Sequence, residues 1–144
     1  MITARADQAA MLGSQNAAKH MGGTGTSAPL YVSTVVEDYN GTSFSTAASL
    51  SAGTKYTSGA GTQNAGIMTG GKSSNSNTSA ETYEWNGISF HQTANLGTGR
   101  CTNDVTDGSQ SSYQVSSGGA FNGSETKTEQ YTTTGIGCHC IGGV

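Results

Sequence analysis

Charge is what this sequence has least of. Of its 144 residues only 10% are charged, and the six lysines and arginines are scattered along a chain of net charge −3. Nucleic acids and anionic membranes are recognised through clustered basic side chains, so neither is an expected partner. Long apolar runs are missing too. Hydrophobic residues make up 33% of the chain, and no stretch approaches the roughly 20 apolar residues of a membrane helix. The opening Met-Ile-Thr-Ala-Arg-Ala-Asp has no apolar centre of a secretory signal, which predicts a protein made in the cytoplasm and released, if at all, by lysis. Three cysteines are too few for a disulfide scaffold. Cys138 and Cys140 flank His139, but a zinc knuckle needs two intervening residues and a second ligand pair. Small, same-sided strand residues are the expected reading.

The scarcity extends to reactive constellations. His20, His91 and His139 share no spaced partners, and Asp104 and Asp107 lack the oxygen-rich, glycine-bent loop of a calcium site. No serine sits in a Gly-x-Ser-x-Gly elbow, and no glycine-rich stretch precedes a helix with a P-loop lysine. No catalytic, cofactor or metal site is therefore expected. What fills the chain is Ser, Thr, Asn and 22 glycines, a composition shared with disordered linkers. Disorder usually goes with high charge and few aromatics. Here charge is low and the aromatics recur in register.

That register is the strongest signal. Gly13-Ser14-Gln15-Asn16 leads to Gly22-Gly23, and Gly61-Thr62-Gln63-Asn64 leads to Gly70-Gly71, an offset of 48 residues without a gap. Gly108-Ser109-Gln110 leads in turn to Gly118-Gly119. A second block, Tyr39-Asn40-Gly41-Thr42-Ser43-Phe44, returns 46 residues later as Trp85-Asn86-Gly87-Ile88-Ser89-Phe90. Fixed periods of this length mean stacked supersecondary units. The chain parses as one repeat domain, 1–144, with units 1–50, 51–96 and 97–144.

Each unit reads as four short extended segments. A polar strand is expected to begin near Ala4-Arg5, Gly53-Thr54-Lys55 and Gly99-Arg100; the middle unit lacks the arginine and has Lys55 nearby. After the Gly-Ser/Thr-Gln turn comes a weakly apolar segment, Ala65 to Thr69 or Ser112 to Ser116, ending in paired glycines. Such pairs suit positive φ or a very close backbone approach. The third segments, Val35 to Tyr39 and Glu81 to Trp85, are β-branched and aromatic. Asn40-Gly41 and Asn86-Gly87 predict type I′ hairpin turns, and the fourth segments carry Phe44 and Phe90. Leu50 and Leu96 close two units. Residues 6–20 are alanine-rich enough to suggest a helix, but they align with Gly99–Gln114, and the repeat decides for strands.

An arginine, a strand ending Gly-Gly, a Glu-x-Tyr strand, a turn, an aromatic and a closing leucine together resemble the kelch motif. The second unit carries it as Gly70-Gly71, Glu84-Trp85, Asn86-Gly87, Phe90 and Leu96. The first carries Gly22-Gly23, Glu37, Tyr39, Asn40-Gly41, Phe44 and Leu50, and Ile136 stands where the third unit would have its aromatic. The wording is also similar to kelch-like repeats in predicted structural proteins of marine bacteriophages. The kelch resemblance implies an all-β chain of three four-stranded β-propeller blades. Propellers close with four to eight blades, so completion by oligomerisation is expected, with another copy or a larger particle covering the open ends. Arg5 and Arg100 are expected to hold their blades together. The phage resemblance implies a non-enzymatic structural or decoration protein of a virion, on capsid or tail. Its partners would be itself, other virion proteins and host-surface glycans. A small oligomeric lectin is the alternative, with Tyr39, Tyr83, Trp85 and Tyr131 as stacking or interface aromatics.

Overall fold

A computed structural model describes residues 1–7, 10–25, 32–73, 78–102, 104–106, 112–116, 128–132 and 139–141. It is all-β among these residues, with twelve strands in three four-stranded antiparallel sheets. The first sheet runs β1 (Ala10–Ser14), β2 (Ala17–Met21), β3 (Val36–Tyr39), β4 (Phe44–Thr46) in chain order. The second repeats that meander with β5 (Ser58–Thr62), β6 (Ala65–Thr69), β7 (Thr82–Trp85) and β8 (Phe90–Gln92). The third uses β9 (Asp104–Thr106), β10 (Ser112–Ser116), β11 (Thr128–Thr132) and β12 (His139–Ile141). No helix among the described residues is long and apolar enough to cross a membrane. Gly108–Gln110, Gly118-Gly119, Asp107, Ile136 and Cys138 lie outside the described residues.

Residues 10–21 form a β-hairpin, as the repeat requires, with Leu12 paired to Lys19 and Ser14 to Ala17. The first strand of each unit starts later than the sequence suggests. Arg5, Thr54 and Arg100 precede it, and a tight bend follows each at Asp7, Tyr56 and Thr102, whose φ values are 58°, 56° and 56°. Positive φ is uncommon outside glycine, and three unlike side chains hide it from sequence. The bends are joined across sheets: Tyr56 N donates to Asp7 O at 3.3 Å, and Thr102 N to Tyr56 O at 3.0 Å.

The Asn-Gly turns also differ from expectation. Only the glycines have positive φ, 90° at Gly41 and 91° at Gly87, so these are not type I′ turns. Tyr39 pairs directly with Phe44 and Trp85 with Phe90, leaving four-residue loops. The Asn40 side-chain oxygen accepts the N–H groups of Thr42 and Ser43, and Asn86 does the same for Ile88 and Ser89. That side-chain turn replaces the second left-handed residue.

Two cores fill the gaps between sheets. Ala10, Leu12, Met21, Val36 and Leu50 meet Met68 and Trp85 between the first and second sheets. Ala60, Ile67 and Leu96 meet Val105 and Tyr131 between the second and third. Leu12 is the main knob, and Gly59 and Gly66 form its hole: a Cβ on them would lie 3.0 and 2.8 Å from its methyl carbons. The glycine pairs make the backbone seam. Gly23 N donates to Thr54 O at 2.8 Å, and Gly71 N donates to Arg100 O at 2.7 Å.

Gly71 combines a φ of 99° with a site where a Cβ would stand 2.4 Å from Thr57 Cγ2 and 2.8 Å from Lys55 O. Gly71→Ala is expected to destabilise by at least about 1–3 kcal/mol, the usual strain of such a backbone. Gly25 is the control, because a methyl group there would meet nothing within 4 Å. Gly25→Ala should stay within about 0.5 kcal/mol in the same urea titration.

Candidate functional site

The first and third sheets each bury an arginine–glutamate pair. Arg5 Nη2 lies 3.0 Å from Glu37 Oε2, with both side chains about 1% exposed. Its Nη1 donates to Gly22 O at 3.0 Å and Val35 O at 2.7 Å. Glu37 Oε1 accepts the backbone N–H groups of Thr3 and Ile2. Arg100 pairs with Glu129 in the same way, fully buried, and Glu129 Oε2 accepts Gly97 N at 2.7 Å. Buried charges are tolerated best when their remaining polar atoms are also met. Backbone groups meet Arg5 Nη1, Glu37 Oε1 and Glu129 Oε2, whereas Arg5 Nε is buried without a hydrogen-bond partner and Arg5 Nη2 and Glu37 Oε2 have only their ion-pair contact. Burial pushes the Glu37 carboxyl up. The Thr3 N–H, the Arg5 guanidinium and the Ile2 N–H outweigh it and hold the group below its ordinary value.

The second sheet has replaced both members. Lys55 pairs with Lys72 as Ala6 pairs with Thr24, which sets Thr54 at the arginine position. Tyr83 faces Met68 as Glu37 faces His20, which sets Tyr83 at the glutamate position. The sequence-based match of Glu84 to that glutamate is thus displaced by one residue: Glu84 corresponds to Asp38. Lys55 is no substitute arginine, because it turns to Asp7 Oδ2 at 3.6 Å and lies over the Tyr56 ring.

Where the ion pair would stand there is a cavity of about 190 Å³, lined by Thr54, Met68, Gly70, Ser79, Glu81 and Tyr83 among others. Its polar wall is organised: the Tyr83 hydroxyl donates to Glu81 Oε2 at 3.0 Å. Burial, with the Glu81 carboxylate as the next contribution, raises the Tyr83 pKa above its usual 10.0, against a smaller lowering by Ser51. The hydroxyl therefore stays protonated at neutral pH.

The four aromatics singled out in the sequence separate into two groups. Trp85 and Tyr131 are buried against the preceding sheet, at 5% and 3% exposure. Trp85 Nε1 donates to Gln63 O, and Lys19 Nζ sits 4.1 Å from the Trp85 ring centre while bonding Asp38. The Tyr131 hydroxyl meets Thr93 at 2.6 Å and Glu84 at 3.3 Å. Tyr39 is half-buried and packs on Phe44, and Tyr83 lines the cavity. The repeated glutamine has a role that spacing alone does not reveal. Gln63 Nε2 donates to Ala18 O and Tyr39 O, both at 3.0 Å, tying its hairpin to the first sheet. Among the described residues no group of three His, Cys, Asp or Glu side chains is placed to hold a metal ion.

No protein-family model and no curated protein matches the chain. Among solved structures, "Structure of YjhT" matches with a TM-score of 0.73 at 15% identity. YjhT is a kelch-type β-propeller. The likeness is one of fold. It covers 97% of this chain and 46% of YjhT, so the chain spans just under half of that structure's length.

Removing one member of a buried pair leaves the other charge uncompensated, at a cost of about 3–5 kcal/mol. Arg100→Met should lose stability on that scale, and adding Glu129→Leu should recover most of it, read by denaturant titration. The depressed Glu37 pKa contributes stability above the unfolded value of 4.5 that is lost as pH falls through the lower folded value. Glu37→Gln should therefore be less stable at neutral pH and flatter in an acid titration below pH 4.5.

Proposed function

We propose that this protein is a non-enzymatic structural component that works as a ring of two copies, each supplying half of a β-propeller, and that the ring decorates a phage particle. One observation carries the self-association. The outer face of the first sheet repeats, position by position, the face that the second sheet buries. Met11, Gln15, His20 and Tyr39 stand where the second sheet has Gly59, Gln63, Met68 and Trp85. The second set packs on the first sheet. In the first set, Met11 is 58% exposed, Gln15 is exposed, and His20 and Tyr39 are only half-buried.

A second copy suits that face by size. Leu12, a large knob, enters the small Gly59–Gly66 hole, whereas small Ala60 meets larger Val105. Met11 stands where the third sheet has Val105, so this face, like that one, suits a small knob. The coverage of 46% of YjhT also leaves room for one more chain of this length. The virion setting rests on the likeness of the repeat phrases to those of marine phage structural proteins. Burial of Trp85 and Tyr131 favours a structural role over a multivalent lectin, since the aromatic at the place shared with Tyr39 is covered in two of the three sheets.

Light scattering should return twice the 14.5 kDa chain mass. Met11→Glu, which places a charge on the exposed face, should give a folded monomer. A monomeric wild-type protein would overturn the ring. Stoichiometric detection in purified particles would support the virion role, and strong sugar binding by the free protein would replace it with the lectin reading.

A further inference from the structure

The cavity of the second sheet is the imprint of a missing side chain. In the first sheet the guanidinium of Arg5 is held by the carbonyls of Gly22 and Val35 and the carboxylate of Glu37. The corresponding backbone positions in the second sheet are Gly70 and Glu81, joined by the same hydrogen bond: Gly70 N to Glu81 O at 3.0 Å, Gly22 N to Val35 O at 3.1 Å. The carbonyls that would receive a guanidinium are therefore retained, while Thr54 supplies no cation. A negative charge is retained as well, moved two residues back along the chain from Tyr83 to Glu81, just before β7, where the Tyr83 hydroxyl fixes it at 3.0 Å. Cavities of about 150 Å³ already admit a benzene-sized molecule, and this one measures about 190 Å³.

We propose that this cavity binds an alkylguanidinium cation in the place of the absent arginine. The Glu81 carboxylate supplies the charge partner, and the Gly70 and Glu81 carbonyls supply acceptors in the plane of the fork. A guanidinium suits such an array better than an ammonium, because its donors are spread in a fixed planar geometry. The site lies within one chain and does not depend on ring closure.

Amide chemical-shift mapping of the full chain with methylguanidinium, and with methylammonium as the equal-charge control, tests the assignment. Saturable shifts centred on Thr54, Gly70 and Tyr83 are expected for the first cation and only weak ones for the second. Acetylarginine amide, titrated in parallel, identifies the source: tighter binding than methylguanidinium assigns an arginine side chain, and equal binding a small free cation. Glu81 is exposed, so Glu81→Gln should fold normally and weaken binding about tenfold, as expected for loss of a charged hydrogen-bond partner. Thr54→Arg with Tyr83→Glu restores the internal pair and should abolish binding. Equal response to methylammonium, shifts that do not saturate, or unchanged affinity in the Glu81→Gln protein would overturn the proposal.

Discussion

Every other feature of this protein depends on the sheet-to-sheet seam. A four-stranded sheet of small residues cannot bury its own faces, so each must lie almost in contact with the next. The glycine pairs make that approach possible by putting N–H groups directly on the neighbour's carbonyls at Thr54 and Arg100. Gly59 and Gly66 do the same for side chains by receiving Leu12. This is why a chain with only 33% hydrophobic residues sustains two continuous cores. Its apolar area is modest, and close packing makes most of it count.

Polar burial follows the same logic. Arg5–Glu37 and Arg100–Glu129 lock the segment entering a sheet to that sheet's third strand, with backbone groups meeting Arg5 Nη1, Glu37 Oε1 and Glu129 Oε2. In the second sheet both partners have changed together, to Thr54 and Tyr83. Changing one alone would strand a charge in the interior, whereas joint replacement removes the penalty and the attraction at once. The result is a polar cavity in the second sheet that differs from the ion-pair sites of its neighbours in chemistry while sharing their backbone.

Much of the fold is legible in the repeat. Strand order, the β1–β2 and β5–β6 hairpins, the glycine pairs and the burial of Leu50 and Leu96 follow from spacing and residue type. The Asn-Gly turns were legible as turns but not as to type, because the asparagine side chain does work assigned to the backbone. The cavity was harder to see. Its position depends on pairing Thr54 with Tyr83, and a shift of one residue, to Glu84, conceals it. The bends at Asp7, Tyr56 and Thr102 leave no trace, since their conformation is imposed by the bonds that join them across sheets.

Sequence alone therefore determined that the chain is a repeated all-β array with arginines and aromatics at regular places. Local rules suffice for that, because turns, alternation and glycine pairs act within a few residues. Only the tertiary structure decided which aromatics are covered, which carboxylate meets which arginine, and where a sheet face stays open. Those outcomes depend on contacts between residues more than 20 positions apart, such as Gln63 with Tyr39 and Arg100 with Glu129. Such contacts exist only once the sheets have stacked.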